Sequence, residues 1–325
     1  MRSRKRFWHL IILTKYLLPV RAELSPAIAD PTLLAFFSMK RLEAWINKNT
    51  RSLVGKTVAL SGATGGLGRE LCKRLCSLGA GLLLLDRSRA RSLALIEQLR
   101  EEFPQAHLEH ITLDLEDMDR ADAVSEQLSE RQVDYLVLNA GAYSIPRHKC
   151  STGYDNVYQI NFVSPYYLAR TLLPSISARG GKVVVVGSIA HNYSKIDPSD
   201  IDFSTRKAAS KVYGNAKRYL MFSLTGLDGV SVTHPGIAVT NITSHYPKFI
   251  YAVIKYPMKL IFMSPQKACL SILAGIFEDC GENEWIGPRV FNVWGLPKKQ
   301  RLCSCTPAEA QQIRGIAEDI LKKIT

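Results

Sequence analysis

Tyr213 and Lys217 lie four residues apart in the stretch Tyr213-Gly214-Asn215-Ala216-Lys217. If that stretch is helical, the two side chains share one face a turn apart. A phenol normally ionises near pH 10, and a neighbouring ammonium favours the phenolate, so the pair predicts a tyrosine tuned downward to act as an acid/base. Ser188, in Gly187-Ser188-Ile189-Ala190-His191, follows the apolar run Lys182 to Val186. A hydroxyl at the end of such a strand can donate to a substrate oxygen whose charge changes during reaction. Spacing alone does not decide the matter, because Tyr251 and Lys255 repeat it. That second pair follows no serine-bearing strand and precedes no Pro-Gly, and reads as an exposed basic and aromatic face. The first pair has Ser188 before it and Pro235-Gly236 after it.

Such side chains need elements to carry them, and the chain supplies an alternating series. The run Thr57 to Leu60 leads into Ser61-Gly62-Ala63-Thr64-Gly65-Gly66-Leu67-Gly68, and Arg69 to Leu78 continues as a helix. Strand, glycine turn and helix make an anion cradle: glycines leave the backbone bare, and the helix start aims free N–H groups and its positive dipole end at a pyrophosphate. Asp86 closes the next apolar run, Leu82 to Leu85, where an acid in a βαβ unit holds a ribose. Further on, Arg87 to Phe103 reads as a helix with Leu93, Ile96, Leu99 and Phe103 on one stripe. His110 to Leu113 reads as a strand followed by Asp114 and Leu115, and Val133 to Leu138 as a buried strand ending in Asn139-Ala140-Gly141. Tyr154 to Leu173 reads as one long helix containing Asn161 and kinked at Pro165, and Ser204 to Leu227 as the helix of Tyr213. Val230 to Thr233 is a strand before His234-Pro235-Gly236. This alternation predicts an α/β fold, a single Rossmann-type doubly wound parallel sheet with helices on both faces, and a ligand beyond the carboxyl ends of the strands.

The spacing Gly62-x-x-x-Gly66-x-Gly68, together with Asn139-Ala140-Gly141, Ser188 and Tyr213-x-x-x-Lys217, resembles the short-chain dehydrogenase/reductase family over roughly residues 53 to 245. Val185 to His191, Ile201-Asp202-Phe203 and His234-Pro235-Gly236-Ile237-Ala238-Val239-Thr240-Asn241 resemble its retinol dehydrogenase-like branch. The resemblance implies a catalytic tetrad of Asn161, Ser188, Tyr213 and Lys217, in which Lys217 also reaches ribose hydroxyls and Asn161 orders a water. It implies a cofactor site of Ser61, Gly62, Thr64, Gly65, Gly66, Leu67, Gly68, Asp86, Arg87, Asp114, Leu115, Asn139, Ala140, Gly141, Tyr213, Lys217, Pro235, Gly236 and Thr240, the last on the nicotinamide carboxamide. The expected activity is hydride transfer between NAD or NADP and a lipophilic alcohol, aldehyde or ketone of retinoid, steroid or aliphatic kind. Homodimers or homotetramers through the two long helices are also implied. Ser61 stands where threonine is usual and keeps its hydroxyl; Ala216 stands where serine is usual. A carboxylate at Asp86 and the lack of a basic residue at Gly65 favour NAD, while Arg87 offers a route to NADP. A catalytically silent NAD(P)-sensing regulator would keep the glycine turn and could lose the tetrad, which is complete here; a membrane-associated scaffold would depend instead on residues 1–51 and on Tyr246 to Met263.

At 325 residues, 46% hydrophobic and 22% charged, the chain can bury one large core. Its formal charge is +13, of which residues 1–51 supply +7. No nucleic-acid motif accompanies that charge, so a nucleic-acid partner is not expected, whereas an anionic cofactor or an acidic membrane surface fits it. The seven cysteines are odd in number and match neither a disulfide framework nor zinc-ligand spacing, so no metal is expected and a reducing, cytoplasmic setting follows. Cys72 and Cys76 read as packing residues on one helical face. Residues 1–51 form a basic extension: either a membrane-surface anchor, or a segment upstream of a working start at Met39. Residues 52–300 form the catalytic domain, with an apolar, lysine-dotted substrate lid at about 244–264. Residues 301–325 hold a terminal helix opened by a capping box, Thr306-Pro307-Ala308-Glu309.

Overall fold

A computed structural model describes residues 31–237 and 263–324. The chain divides into two compact units at Asn49 and Thr50. The described part of the first is a helix, α1, Pro31–Asn49. Among the described residues no helix is long and apolar enough to cross a membrane. The lid at 244–264 and Thr240 fall almost wholly outside the described residues, as does most of the basic extension.

The second unit alternates strands and helices: β1 Thr57–Ser61, α2 Gly66–Ser77, β2 Gly81–Asp86, α3 Arg89–Glu102, β3 Leu108–Thr112, α4 Met118–Ser129 and β4 Tyr135–Leu138. It continues with α5 Ser164–Ser177, β5 Lys182–Val186, α6 Ala209–Leu224, β6 Val230–Thr233, α7 Pro265–Phe277, β7 Glu284–Val290, β8 Trp294–Arg301 and α8 Pro307–Ile324. One sheet runs in the order β3-β2-β1-β4-β5-β6-β7-β8. Its first seven strands pair in parallel, and β8 returns antiparallel as the edge. The order reverses between β1 and β4, which opens a crevice at their carboxyl ends.

The central strands read as unbroken apolar runs because both faces are covered. Ala59, Leu136, Leu138, Val183, Val185 and Val232 point into one core with Tyr158, Phe162, Tyr219 and Phe222. Their neighbours Val58, Leu60, Leu82, Leu84 and Val184 are buried on the opposite face. Cys72 and Cys76 are both buried on α2.

Several expected boundaries move for identifiable reasons. Helix α3 starts at Arg89 because Ser88 caps it, and its buried stripe is Ser92, Leu95, Ile96 and Leu99, leaving Leu93 41% exposed. Strand β3 begins at Leu108, two residues early, in register with Leu82. The expected helix Tyr154–Leu173 is a short turn, Asn156–Tyr158, a π-helical turn, Gln159–Val163, and then α5, where Pro165 sits in the first turn. Proline is tolerated there because the first-turn amides have no partner within the helix. Helix α6 begins only at Ala209, since Asp200 and Asp202 hold residues 204 and 205 in turns. The hairpin β7–β8 was not expected at all.

Helix α8 lies against α5 and α6: Ile313, Ala317 and Ile320 join the core, and Glu318 accepts from Tyr166 at 2.8 Å and pairs with Arg170. As a result every residue of α6 from Gly214 to Leu224 is buried within the single chain. Thr306 Oγ1 accepts from the Glu309 amide at 3.2 Å, which is half of the expected capping box; the Glu309 carboxylate turns instead to Arg218.

Candidate active site

The glycine turn owes its shape to close approach. Gly62 has φ +70°, and a Cβ there would stand 2.9 Å from Ala140 Cα. A Cβ on Gly68 would stand 2.2 Å from the Gly62 carbonyl oxygen. Asn139, at the end of β4, donates from Nδ2 to the Ser61 and Gly62 carbonyls at 3.0 and 3.1 Å. Ser61 Oγ accepts from the amides of Asn139 and Ala140, each at 3.1 Å. Ser61 therefore ties β1 to β4 behind the turn and does not line the crevice.

The amides at the start of α2 distinguish it from its neighbours. Helices α3 and α4 are capped by Ser88 and Asp117, whereas Gly65 before α2 supplies no side-chain cap. Uncapped N–H groups over a glycine cradle fit a bound pyrophosphate. The cavity over them, about 480 Å³, is lined by Gly62, Thr64 to Gly68, Asp86, Arg87, Asp114, Leu115 and Asn139 to Gly141. Ser88, Arg91 and Glu116 line it too, although the sequence did not single them out.

Asp86 is not the open carboxylate that was expected. It is 7% exposed, and it accepts from Thr64 Oγ1 and Thr64 N at 3.0 and 3.4 Å on one oxygen and from Ser92 Oγ at 3.3 Å on the other. Three of the roughly four acceptor positions of a carboxylate are thus spent on the protein. Burial raises its carboxyl above the ordinary value, against the pull of those hydrogen bonds. Arg87 beside it is 70% exposed, 3.9 Å from Asp114 and 3.7 Å from Glu116.

A second cavity of about 300 Å³ shares Leu67, Asn139, Gly141 and Ala142 with the first and is lined by Ser188, Tyr213, Lys217, Pro235 and Gly236. Tyr143, Ile189, Tyr193 and Ile237 give it an apolar and aromatic wall. Lys217 Nζ is buried, donates to the Val186 carbonyl at 2.9 Å and lies 5.9 Å from the Tyr213 ring centre. Burial, rather than the lysine, governs the phenol: Tyr213 is pushed up to about 12, with a hydrogen bond from Ser188 pulling down and Tyr143, edge-on at 5.4 Å, pushing up. The expected lowering by Lys217 is not found, because the ammonium faces a carbonyl and is itself pushed down by burial to about 8. Ser188 Oγ accepts from the Ala190 amide at 3.2 Å, opening the 3₁₀ turn Ile189–Tyr193.

Asn161 lies beneath this cavity, in the π-helical turn. Its side chain accepts from Ala142 N at 3.2 Å and donates to the Ala142 and Val157 carbonyls, both at 2.8 Å. A Cβ on Gly141 would meet Asn161 Oδ1 at 2.7 Å and Lys217 Nζ at 3.7 Å, so the bare glycine lets both groups approach one point. Such wide turns recur at functional sites.

Glu116, His148 and Cys150 bring metal-capable atoms within 4.8 Å of one another. Asn156 Nδ2 donates to the Pro146 carbonyl at 3.1 Å and stands 3.2 Å from His148 Nδ1, which must therefore accept. The imidazole proton then sits on Nε2, facing Glu116 at 3.0 Å, and the lone pair a metal would need points at Asn156.

Comparison with known proteins agrees with this architecture. Residues 56–219 match the short chain dehydrogenase family. Over 265 residues the chain is 31% identical to retinol dehydrogenase 14 of Mus musculus, covering 71% of this chain and 79% of that protein. Among solved structures, an uncharacterized protein from Mycobacterium paratuberculosis superposes with a TM-score of 0.65 at 21% identity, covering 85% of this chain and 96% of the other. A short-chain dehydrogenase from Sphingobium yanoikuyae in complex with NADPH superposes with a TM-score of 0.54 at 20% identity, covering 82% and 95%. The cradle, the switch-point crevice and these likenesses converge: the chain belongs to the short-chain dehydrogenase/reductase family, is retinol dehydrogenase-like, and is an NAD(P)-dependent oxidoreductase acting on CH–OH groups.

Proposed function

We propose that this chain reduces lipophilic aldehydes or ketones to alcohols with NADPH, using Tyr213 as the proton donor. The observation that carries the reading is the Tyr213 hydroxyl, hydrogen-bonded to Ser188 and lining the second cavity together with Ser188 and Lys217. A bound nicotinamide supplies the hydride. Ser188 donates to the substrate oxygen. A phenol at about 12 holds its proton at neutral pH, so Tyr213 rests in the protonated form that a proton donor needs. Lys217, at about 8, carries a proton that it can pass on with little cost. Asn161 holds the Gly141–Ala142 segment against the lysine. The apolar wall of Tyr143, Ile189, Tyr193 and Ile237 suits a retinoid, steroid or aliphatic chain.

Cofactor choice follows from how the charges are spent. Asp86 holds the glycine turn to α3, which leaves it little capacity for ribose hydroxyls, while Arg87 and Arg91 line the same cavity. Two guanidinium groups there favour a 2′-phosphate, so NADP is preferred over the NAD that the bare sequence favours. With α8 on α5 and α6, pairing of two chains through those helices is not expected, and we infer that the catalytic unit is complete in one chain.

The test is a panel of all-trans-retinaldehyde, a steroid ketone and a long-chain aldehyde, with NADPH and NADH, on wild type and Tyr213→Phe. Removing the proton donor lowers kcat by about 10³-fold while NADPH still binds. A Tyr213→Phe enzyme of unchanged rate would refute the assignment, and wild type inert on the whole panel would favour a cofactor-sensing role.

A further inference from the structure

Lys217 faces the crevice; the next residue of α6, Arg218, faces the other way and is the largest fully buried side chain among the described residues, 2% exposed. Its guanidinium joins three segments. Nε and Nη2 hold the two oxygens of Glu309, in the first turn of α8, each at 2.7 Å. Nη2 also donates to the Ser304 carbonyl at 2.6 Å, and Nη1 to the His191 carbonyl at 3.2 Å. The guanidinium carbon lies 5.2 Å from the Phe222 ring centre. Burial acts to raise the Glu309 carboxyl, but the guanidinium outweighs it and holds the group below its usual value, so the pair is ionised.

A buried ion pair is a poor way to fill space, since apolar residues of equal volume often stabilise more. What the pair supplies is direction. His191 belongs to the 3₁₀ turn that Ser188 opens, and its ring Nδ1 donates back to the Ser188 carbonyl at 2.5 Å. The same ring stands edge-on to Trp285 of β7 at 5.4 Å, and Trp285 stacks on His234, next to Pro235, at 5.0 Å. On its other side the turn is pressed against α6, where a Cβ on Gly214 would fall 2.3 Å from the Ala190 carbonyl oxygen and Ser194 Oγ donates to the Lys211 carbonyl at 2.6 Å. The serine turn is therefore fixed by α6 at three points, Lys211, Gly214 and Arg218, and of these only the Arg218 contact passes through the C-terminal helix.

We propose that Arg218, gripped by Glu309, is a positioning residue for Ser188: through the His191 carbonyl it sets the turn that aims the serine hydroxyl, which makes α8 part of the active-site scaffold. This rests on the reading that Ser188 and Tyr213 carry the proton chemistry. It identifies a control point outside the cavity that holds the reacting atoms, and small misplacements there are costly to rate.

The decisive variant is Arg218→Met/Glu309→Met, which removes both charges and so leaves no unpaired buried ion. Hydrogen exchange is followed at the Ala190 and His191 amides, whose acceptors are Ser188 Oγ and the Ser188 carbonyl. Rates are measured with NADPH and all-trans-retinaldehyde. The proposal expects those two amides to exchange about tenfold faster and kcat to fall about tenfold, with KM for NADPH within about twofold and the α6 amides unchanged. Arg218→Lys guards the test against loss of folding: it keeps a charge opposite Glu309 but lacks the fork that reaches His191 and Ser304 together, and the same losses are expected. Unchanged exchange in the turn, or kcat restored in the double variant, would overturn the proposal. Tyr213→Phe run in parallel separates the two claims, since an active Tyr213→Phe sinks the catalytic reading, whereas an inactive one beside a fully active double variant sinks only the role of Arg218.

Discussion

The two ends of the crevice are built from different materials. At the glycine end the working parts are main-chain amides, brought close by the absence of side chains at Gly62 and Gly68. At the Tyr213 end they are side chains from the β5 turn, α6 and the π-helical turn, with Trp285 and α8 behind them. A main-chain site is made by one contiguous stretch and is harmed by adding atoms. A side-chain site is assembled from distant stretches and is harmed by removing them.

The sharpest way to break the contrast is to add atoms at the glycine end. Gly68→Val puts a Cβ where only 2.2 Å separates it from the Gly62 oxygen, so NADPH affinity measured by fluorescence titration should fall about 100-fold, an overpacking penalty near the top of its usual range. A smaller effect comes from removing charge at that same end. Arg87→Ala should reduce the NADPH over NADH preference in kcat/KM about tenfold and leave kcat with NADH unchanged; no change in preference would return the choice to Asp86. A third effect, read as stability rather than as affinity or rate, concerns the support behind the Tyr213 end. Burial pushes His191 and His234 down to about 4, so between pH 6.5 and 4 the unfolded chain takes up protons that the native state refuses. Stability present above pH 6.5 is therefore lost as pH falls toward 4, and His234→Gln should flatten that slope by about 1–2 kcal/mol in denaturation curves. An equally steep slope in the variant would mean that His234 is accessible.

Legibility in the sequence followed the same division. The strand, glycine turn and helix around Gly62 could be read because every residue that makes them is local, and so could the alternation of strands and helices that implies a parallel sheet. Distances across the fold could not. The sequence could not show that Asp86 is consumed by Thr64 and Ser92, or that Lys217 turns to the Val186 carbonyl while burial raises Tyr213. Pro165 was readable as a disturbance in a long helix, but its position after a π-helical turn depends on Asn161 reaching back to Ala142. The β7–β8 hairpin was hidden because Gly287-Pro288 interrupts one strand and Pro297 the other; its pairing is imposed by β6, through Thr233 and Ile286, and by the strands upon each other. Nothing in the sequence singles out Arg218, and only its pairing with Glu309 of α8, 91 positions further along, reveals its use.

Strand β8 has a bearing on how these molecules behave in a crowd. It forms one border of the sheet and carries Pro297, Lys298, Lys299 and Arg301. A foreign strand approaching that border would meet a residue with no amide hydrogen to offer and a row of cations that repel a matching row on another copy. Growth of one sheet into the next, the first step toward fibrous precipitate, is thus discouraged where the backbone would otherwise invite it.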